Sequence, residues 1–455
     1  MKVVKFGGSS LADGGQFKKV TDIILMDPER KIIVVSAPGK RYDGDTKTTD
    51  LLIQLADRVT EQGDEQDAFR AVMARFETIV TELKLPAEVL TDIEEHLARL
   101  IETYRDDAER LYDGLKASGE NQNAKLMAAY LQQRGEKASY VSPDEAGMYV
   151  TDDPGNAQIL PESYEAMKTL RDREGILVIP GFFGYSKTGH IVTFPRGGSD
   201  ISGSIVAAGV EASEYENFTD VDSVYSVNPA LVETPYEMKE VTYREMRELA
   251  YSGFSVFHDE ALLPVVKKRV PIVVKNTNHP QAEGTRIMAE RTPDDMPVLG
   301  IASDKGFVSI NLTKYLMNRE VGFGRHLLEI FEAEEVSFEH TPSGIDNMSV
   351  IIREHQLENG KEERIIQRIQ SELKVEDVQI ERNLALVMVV GEGMARTVGV
   401  ASKAATALAE AAVNIKMINQ GSSETSMMFG VDAAKADLAV QSLYYAFFEK
   451  QKTVQ

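Results

Sequence analysis

Val3-Val4-Lys5-Phe6-Gly7-Gly8-Ser9-Ser10 decides how the rest of the chain is read. A short valine run ends on a lysine and two adjacent glycines. Glycine lets a backbone take turn angles that a Cβ forbids, and it leaves no side chain to hold a ligand off. Gln16 to Met26 then places Phe17, Val20, Ile23 and Ile24 at helical spacing. The turn therefore opens near a helix N-terminus, whose free N–H groups attract anions such as phosphate. No G-x-x-x-x-G-K-[ST] loop occurs in the chain. Taken alone, strand, glycine pair and helix fit an ordinary tight βα turn better than a phosphate site.

A length of 455 residues suits roughly three domains. No apolar run approaches the ~18 residues of a membrane span. With no charged segment, apolar segment and cleavage site ahead of Val3, no signal peptide is expected. Zero cysteines exclude disulfides and thiolate metal sites and suit a cytoplasmic protein. The net charge of −22 argues against nucleic acid or an anionic membrane as partner. If the substrates are anions, a few local cations must overcome that field, so basic residues inside glycine-rich turns carry the most information.

From Lys5 to about Ala302 short apolar runs alternate with helical patterns, predicting an α/β sheet with helices on both faces. Lys31 to Val35 reads as a buried strand ending in Ser36-Ala37-Pro38-Gly39. After a polar loop, Thr48-Thr49-Asp50 is expected to cap a helix. Residues 65 to 117 read as two or three helices, and Ser118-Gly119-Glu120 as an interruption before a helix from Lys125 to Gln133. On its own residues Glu120 is a helix-start carboxylate. Ala138 to Val141, Gly175 to Pro180, His190 to Phe194, Tyr215 to Asp220 and Pro271 to Lys275 are predicted strands; Tyr236 to Ser252 and Asp259 to Lys268 are predicted helices. A second glycine pair beside a basic residue, Arg196-Gly197-Gly198-Ser199-Asp200, also opens a helix. Two such turns can meet at the carboxyl ends of a parallel sheet, where ligands of this fold class bind.

Beyond about Pro297 the chain repeats itself. Pairing Gly322 with Gly399, Val336 with Val413 and Gly344 with Gly421 gives one constant offset. Each copy reads strand, glycine loop, amphipathic helix, strand, turn, strand, with Val336 to His340 among the predicted strands. Such a pair serves either subunit association through strand edges or an effector site.

These residues together resemble aspartate kinase of the amino-acid kinase family, over essentially the whole chain. Lys5 to Ser10 resembles its K-F-G-G-[ST]-S, Arg196 to Asp200 its R-G-G-S-D, Phe218-Thr219-Asp220-Val221 its [WF]-T-D-V, and the repeat its paired ACT regulatory domains. The resemblance implies a mostly parallel amino-acid kinase sandwich over 1–296, followed by βαββ ACT domains at 297–382 and 383–455. It implies transfer of the ATP γ-phosphoryl group to the side-chain carboxylate of L-aspartate, with Mg2+ accompanying the nucleotide and no metal site held by the protein. Lys5 would neutralise the moving phosphoryl group, with Gly7, Gly8 and Ser9 donating to the phosphates. Arg196 would clamp a substrate carboxylate with two parallel hydrogen bonds. Glu120 would take the ammonium, and Asp200 would orient Lys5 or serve as a simple helix cap. Ser36, Thr49, Phe182 and Ser199 map onto the aspartate pocket, and Thr219, Asp220 and Tyr225 onto the adenosine side. Met317, Gly322, Phe323, Glu339, Ser343 and Asp346 would form a site for lysine, threonine or both, and the ACT domains would join copies into a homodimer or larger homo-oligomer.

The chain departs from the family pattern at Ser223, Asn228, Ala230, Ser255 and Pro195. Ala230 and Ser255 stand where cations are usual on the phosphate side. Each such contact carries about 1–3 kcal/mol, so weaker ATP binding follows unless Lys275 or another cation substitutes. Two other readings stand beside this one: a kinase of the same fold acting on glutamate or a nucleoside monophosphate, and an amino-acid sensor that has lost ATP.

Overall fold

The computed structural model describes residues 1–195, 197–254, 257, 259–291 and 296–448. The chain divides into two compact units, Met1–Val224 with Glu237–Ala250 and Ser255–Arg291, and Tyr225–Tyr236 with Tyr251–Phe254 and Thr292–Gln455. No helix among the described residues is long and apolar enough to cross a membrane.

In the first unit the strands are β1 (Lys2–Phe6), β2 (Arg30–Val35), β3 (Ala138–Tyr140), β4 (Tyr149–Val150), β5 (Ile176–Pro180), β6 (Phe183–Ser186), β7 (Ile191–Thr193) and β8 (Glu214–Thr219). Two short strands follow, β9 (Val224–Tyr225), whose second residue is counted with the second unit, and β10 (Glu237–Met238), then β11 (Glu240–Thr242), β12 (Ile272–Asn276) and β13 (Thr285–Met288). The helices are α1 (Gly14–Leu25), α2 (Thr48–Thr60), α3 (Gln66–Leu83), α4 (Glu88–Tyr104), α5 (Ala108–Gln133), α6 (Ser163–Ala166), α7 (Gly198–Gly209), α8 (Tyr243–Tyr251) and α9 (Leu262–Lys268). Eight strands form one sheet in the order β11-β13-β12-β8-β1-β2-β5-β3. Its pairs are parallel except β12 with β13. The expected α/β architecture is therefore present, with β1 flanked by β2 and β8.

Alternation along these strands sorts the side chains onto two faces. Val4, Phe6, Ile33, Val35, Val178 and Phe218 join an apolar core with residues of α1 to α5. Phe6 and Phe218 stack with ring centroids 5.0 Å apart. Lys5 and Asn217, paired across β1 and β8, lie on the opposite face, where α7 packs. At the amino ends of β2 and β8, Arg30 Nε donates to Glu216 at 2.6 Å and Nη2 at 3.1 Å, and its Nη1 donates to the Ile23 carbonyl.

Four local expectations are corrected. Ser118-Gly119-Glu120 does not interrupt a helix, because α5 runs through it. Gly119 is there for closeness: a Cβ on it would lie 2.7 Å from the Ala37 Cβ. Glu120 is thus mid-helix rather than at a helix start. Thr48 is the first residue of α2 and caps nothing; the preceding Lys47 makes no side-chain cap. Residues 237 to 242 form strands rather than helix, since Met238 and Val241 are buried between exposed or half-buried charged residues.

The second unit is built on one antiparallel sheet of β14 (Gly300–Thr313), β15 (Asn347–Arg353), β16 (Asp377–Val390), β17 (Met417–Gln420) and β18 (Ser426–Asp432), in the order β15-β14-β16-β18-β17. Its helices are α10 (Phe323–Ala333), α11 (Lys361–Leu373), α12 (Val400–Glu410) and α13 (Ala436–Phe448). The repeat is plain in α10 and α12, each of 11 residues and each entered through a left-handed glycine, Gly322 or Gly399. The fourth correction falls here. Val336 to His340 is not a strand but meets β15 through isolated bridges at His340 and Ser343, with Pro342 between them offering no N–H. Two apolar cores share the sheet. One holds Val308 to Leu312 with α10 and α11; the other combines Met296, Val298 and Ile301 with Ala385, Val387, Val389, α12 and α13.

The buried Arg30–Glu216 pair gives a test of the first unit. Replacing Glu216 by Ala leaves the guanidinium buried without its partner, and is expected to lower stability by about 3–5 kcal/mol, read as a fall in the urea unfolding midpoint.

Candidate active site

The site is laid out by the carboxyl ends of β1, β2, β5 and β8. The Gly7 N–H donates to the Phe218 carbonyl at 3.1 Å, Ser36 N–H to Phe6 at 3.1 Å and Gly181 N–H to Val35 at 2.9 Å. The loops after four strands are thereby tied edge to edge. Gly8 and Gly39 touch through backbone, with Gly39 N–H donating to the Gly8 carbonyl at 2.8 Å. A Cβ on Gly39 would lie 2.5 Å from the Gly8 carbonyl carbon, so only glycine fits. Ser9 is exposed at this turn, and Ser10 Oγ lies 2.7 Å from Thr277 Oγ1 after β12.

Lys5, 7 % exposed, extends along the α7 face until its Nζ lies 2.7 Å from Asp200 Oδ1. Asp200 sits in the first turn of α7, entered through Gly197 at φ 76°. That turn packs tightly: a Cβ on Gly198 would lie 2.5 Å from the Phe182 ring, and one on Gly181 2.9 Å from Ser199. Phe182 itself has φ 74°, an uncommon left-handed conformation for an aromatic residue, held by its N–H donating to Ser202 Oγ at 2.9 Å. Arg196 lies outside the described residues, as does Ser255.

Glu120 reaches this cluster from α5. It is 5 % exposed, and burial pushes its carboxyl up to about 8 against the Ala37 and Glu120 N–H groups, the Ser199 hydroxyl and the Lys5 charge, which favour ionisation. Its Oε2 is buried with no hydrogen-bond partner among the described residues. A buried carboxyl with a spare acceptor oxygen beside Ser199 has the chemistry to accept from a cationic donor. Ser36 is buried and Thr49 half-buried at the rim of the β2 loop. The expected Lys5, Gly7, Gly8, Glu120, Ser199 and Asp200 are thus brought together, with Ser36 and Phe182 on the adjoining loops and Thr49 in the first turn of α2.

On the expected nucleotide side, Thr219 ends β8, Asp220 is exposed, and Thr219 Oγ1 donates to Asp220 Oδ1 at 3.1 Å. Asn276 donates to Asp222 at 2.7 Å and holds this loop. Tyr225 belongs to the second unit, as does Ala230, whose N–H donates to Asn228 Oδ1 at 3.0 Å. Lys275 forms no ion pair among the described residues and is half-exposed. Among the described residues no three His, Asp or Glu side chains gather as a metal would require.

Within the second unit the two expected effector segments do face each other. Asn318 N–H donates to the Ile345 carbonyl at 3.2 Å and Leu316 N–H to Asp346 Oδ1 at 2.7 Å. Met317 and Phe323 are core residues, Gly322 supplies the left-handed entry to α10, and Ser343 is exposed. Glu339 is bound by Arg353 at 3.2 Å and by the Tyr251 hydroxyl, so its carboxylate already has two partners.

Three residues escaped sequence reading. Arg75, in α3 and 3 % exposed, donates to the Gly39 carbonyl and pairs with Asp45 at 2.8 Å, pinning the loop after β2. Asn123 donates to the Ser36 carbonyl at 2.6 Å. Asn217 donates to Asp200 Oδ1 at 2.8 Å. The one available signal was an asparagine between Tyr215 and Phe218 in a predicted strand.

A model of the amino acid kinase family matches residues 1–276, and a model of the ACT domain matches residues 387–447. The sequence is 55% identical to Aspartokinase 3 of Bacillus subtilis over 98% of this chain and 99% of that protein. The crystal structure of Clostridium acetobutylicum aspartate kinase is similar at 40% identity and a TM-score of 0.84, covering 98% of this chain and 100% of that one. Escherichia coli aspartokinase III, at 25% identity, is similar in its complex with aspartate and ADP (R-state) at TM-score 0.81, and in its complex with lysine and aspartate (T-state) at 0.74. These cover 98% of this chain and 100% and 99% of the two solved chains.

Glu120 supplies a pH-dependent test. Its folded-state carboxyl, raised to about 8 from 4.5, favours folding fully below pH 4.5, and that contribution is lost as the pH rises through 8. Glu120→Gln removes the dependence. The variant is expected to match the unsubstituted protein near pH 4.5 and to exceed its thermal midpoint increasingly towards pH 8.5, in scans at both pH values.

Proposed function

The chain belongs to the amino acid kinase family and, within it, to the aspartokinases, and from that premise we propose how its residues divide the reaction. The substrates are ATP, arriving with Mg2+ on its phosphates, and L-aspartate. The side-chain carboxylate oxygen of aspartate attacks the γ-phosphorus, the bond from that phosphorus to the β,γ-bridging oxygen breaks, and ADP leaves with 4-phospho-L-aspartate formed. A carboxylate is already a nucleophile, so no general base is needed. The task is to align two anions and neutralise the charge shared between them.

One observation carries the assignment: the Lys5–Asp200 pair at 2.7 Å stands over the Gly7-Gly8 turn with buried Glu120 beside it. Lys5 neutralises the moving phosphoryl group, and Gly7, Gly8 and Ser9 donate to its oxygens. Asp200 keeps the ammonium of Lys5 aimed. Glu120 receives the ammonium of aspartate, yielding its own proton as the new positive charge arrives, and Ser199, Ser36, Thr49 and Phe182 complete the pocket. Arg196, immediately ahead of Gly197, clamps a substrate carboxylate. Thr219 and Asp220 serve the nucleoside, and Lys275, half-exposed and without an ion pair among the described residues, is a cation available to the phosphates.

For regulation, the E. coli relative's complex with lysine supports an amino-acid effector; lysine, threonine or both would bind in the ACT unit between residues 317–323 and 339–346, segments joined by the Asn318–Ile345 and Leu316–Asp346 hydrogen bonds. An effector acts only through a difference in affinity between active and inactive arrangements. Association of copies through the same unit is supported by its open sheet edge at β17, where Ile418 is 57% exposed.

The reading is tested with Mg-ATP, aspartate and hydroxylamine, which are expected to give aspartyl hydroxamate. Its absence from folded protein while hydrolysis controls work, or turnover of glutamate in preference, would overturn the assignment. Lys5→Met is expected to lower kcat by about 10²–10³. In the same assay lysine or threonine is expected to slow the unsubstituted enzyme; indifference to both would remove the effector site.

A further inference from the structure

The most telling residue outside the assigned machinery is Asn217. It lies at the centre of the sheet on β8, in register with Lys5 of β1, and is 1 % exposed. On the same strand and face, Tyr215 donates from its hydroxyl to the Asp200 main-chain carbonyl at 3.3 Å, while Asn217 Nδ2 donates to the Asp200 carboxylate at 2.8 Å. Two side chains of β8 therefore grip one residue in the first turn of α7, at backbone and at carboxylate. The Asp200 oxygen that Asn217 holds, Oδ1, is the one that Lys5 Nζ meets at 2.7 Å.

The other half of the amide sharpens the point. Asn217 Oδ1 is buried and has no hydrogen-bond partner among the described residues. A buried acceptor without a donor costs stability, and the opposite amide orientation would turn that oxygen towards a carboxylate. The other strand residues packed into this sheet include Val3, Val34, Ile179, Tyr215 and Val274, all essentially inaccessible. Stability alone would favour an apolar side chain at 217. What the asparagine supplies that leucine cannot is the N–H towards Asp200.

We propose that Asn217 is a positioning residue for phosphoryl transfer: its amide N–H fixes the Asp200 carboxylate so that Lys5 is held in line when its charge passes to the phosphoryl oxygens. The proposal rests on the roles assigned above to Lys5 and Asp200. When Lys5 turns towards the phosphoryl group, Asp200 loses a hydrogen-bond donor. Asn217 continues to hold it, so the carboxylate neither follows the lysine nor swings towards the incoming anions. Asn217 touches no substrate and changes no bond itself.

The test uses Asn217→Leu and Asn217→Asp in the full chain. Leucine fills the space without a donor, and aspartate keeps the shape, lacks the N–H and adds a like charge. Both are expected to lower kcat about 10- to 100-fold while KM for aspartate and for Mg-ATP stays within threefold. Asn217→Leu is expected to unfold at the same temperature or higher, which a merely structural role would not produce. In an Asp200→Ala background Asn217→Leu is expected to cost less than twofold further. Full kcat in Asn217→Leu, or an additive loss in the double variant, would overturn the proposal. If Asp200→Ala alone kept full activity, the failure would lie with the assignment of Asp200 instead. Should Asn217→Leu not fold, Asn217→Ser, which removes the amide without introducing bulk, carries the same expectation for kcat and KM.

Discussion

On the proposed mechanism the ion pair between Lys5 and Asp200 is the contact on which the first unit's chemistry depends, and it exists only because of sheet order. Lys5 is the penultimate residue of a strand flanked on both sides by parallel neighbours, so its stem is enclosed and only its ammonium emerges. Asp200 comes from a helix packed on the same face, nearly two hundred residues away, and β8 ties that helix down through Tyr215 and Asn217. A lysine fixed in this way has few rotamers left to lose, so orienting its charge costs little entropy at the moment of reaction. The glycines around it serve the same end: Gly8, Gly39, Gly181 and Gly198 let loops approach to distances that a Cβ would forbid.

Much of this was legible because the sheet announces itself. Buried parallel strands read as continuous apolar runs, and Ile32 to Val35 or Ile272 to Val274 admit little else. The two glycine pairs marked turns that the fold does bring together, through Lys5 near the end of one strand and Asp200 in the first turn of α7. Illegible were features whose cause is distant in sequence. Gly119 looked like a helix breaker, yet its reason is Ala37 on another element. Arg75 lies in a stretch read only as helices, although it is buried against Gly39 and Asp45. Residues 237 to 242 carry three charges and a helical neighbour, so their strand character emerges only from the burial of Met238 and Val241. The repeat was visible as spacing, but the packing of Met296, Val298 and Ile301 with the second copy was not, since no local pattern reports which half of a shared sheet a strand joins.

The electrostatics of the site answer a difficulty set by composition. A chain of net charge −22 must gather a triphosphate and a dicarboxylic amino acid. A single exposed lysine would be screened within about 10 Å by ordinary salt and would gain little. A buried lysine facing nothing would pay for desolvation without return. Pairing it with Asp200 keeps it satisfied before substrate arrives. Burial raises the Glu120 carboxyl, which on the proposed mechanism withholds a second negative charge from the same space until the substrate ammonium arrives. The cation can then change partners, from carboxylate to phosphoryl oxygen, instead of being stripped of water at the reacting step. For that exchange to be productive the abandoned carboxylate must stay where it was, and the groups that hold it there belong to the sheet rather than to any mobile loop.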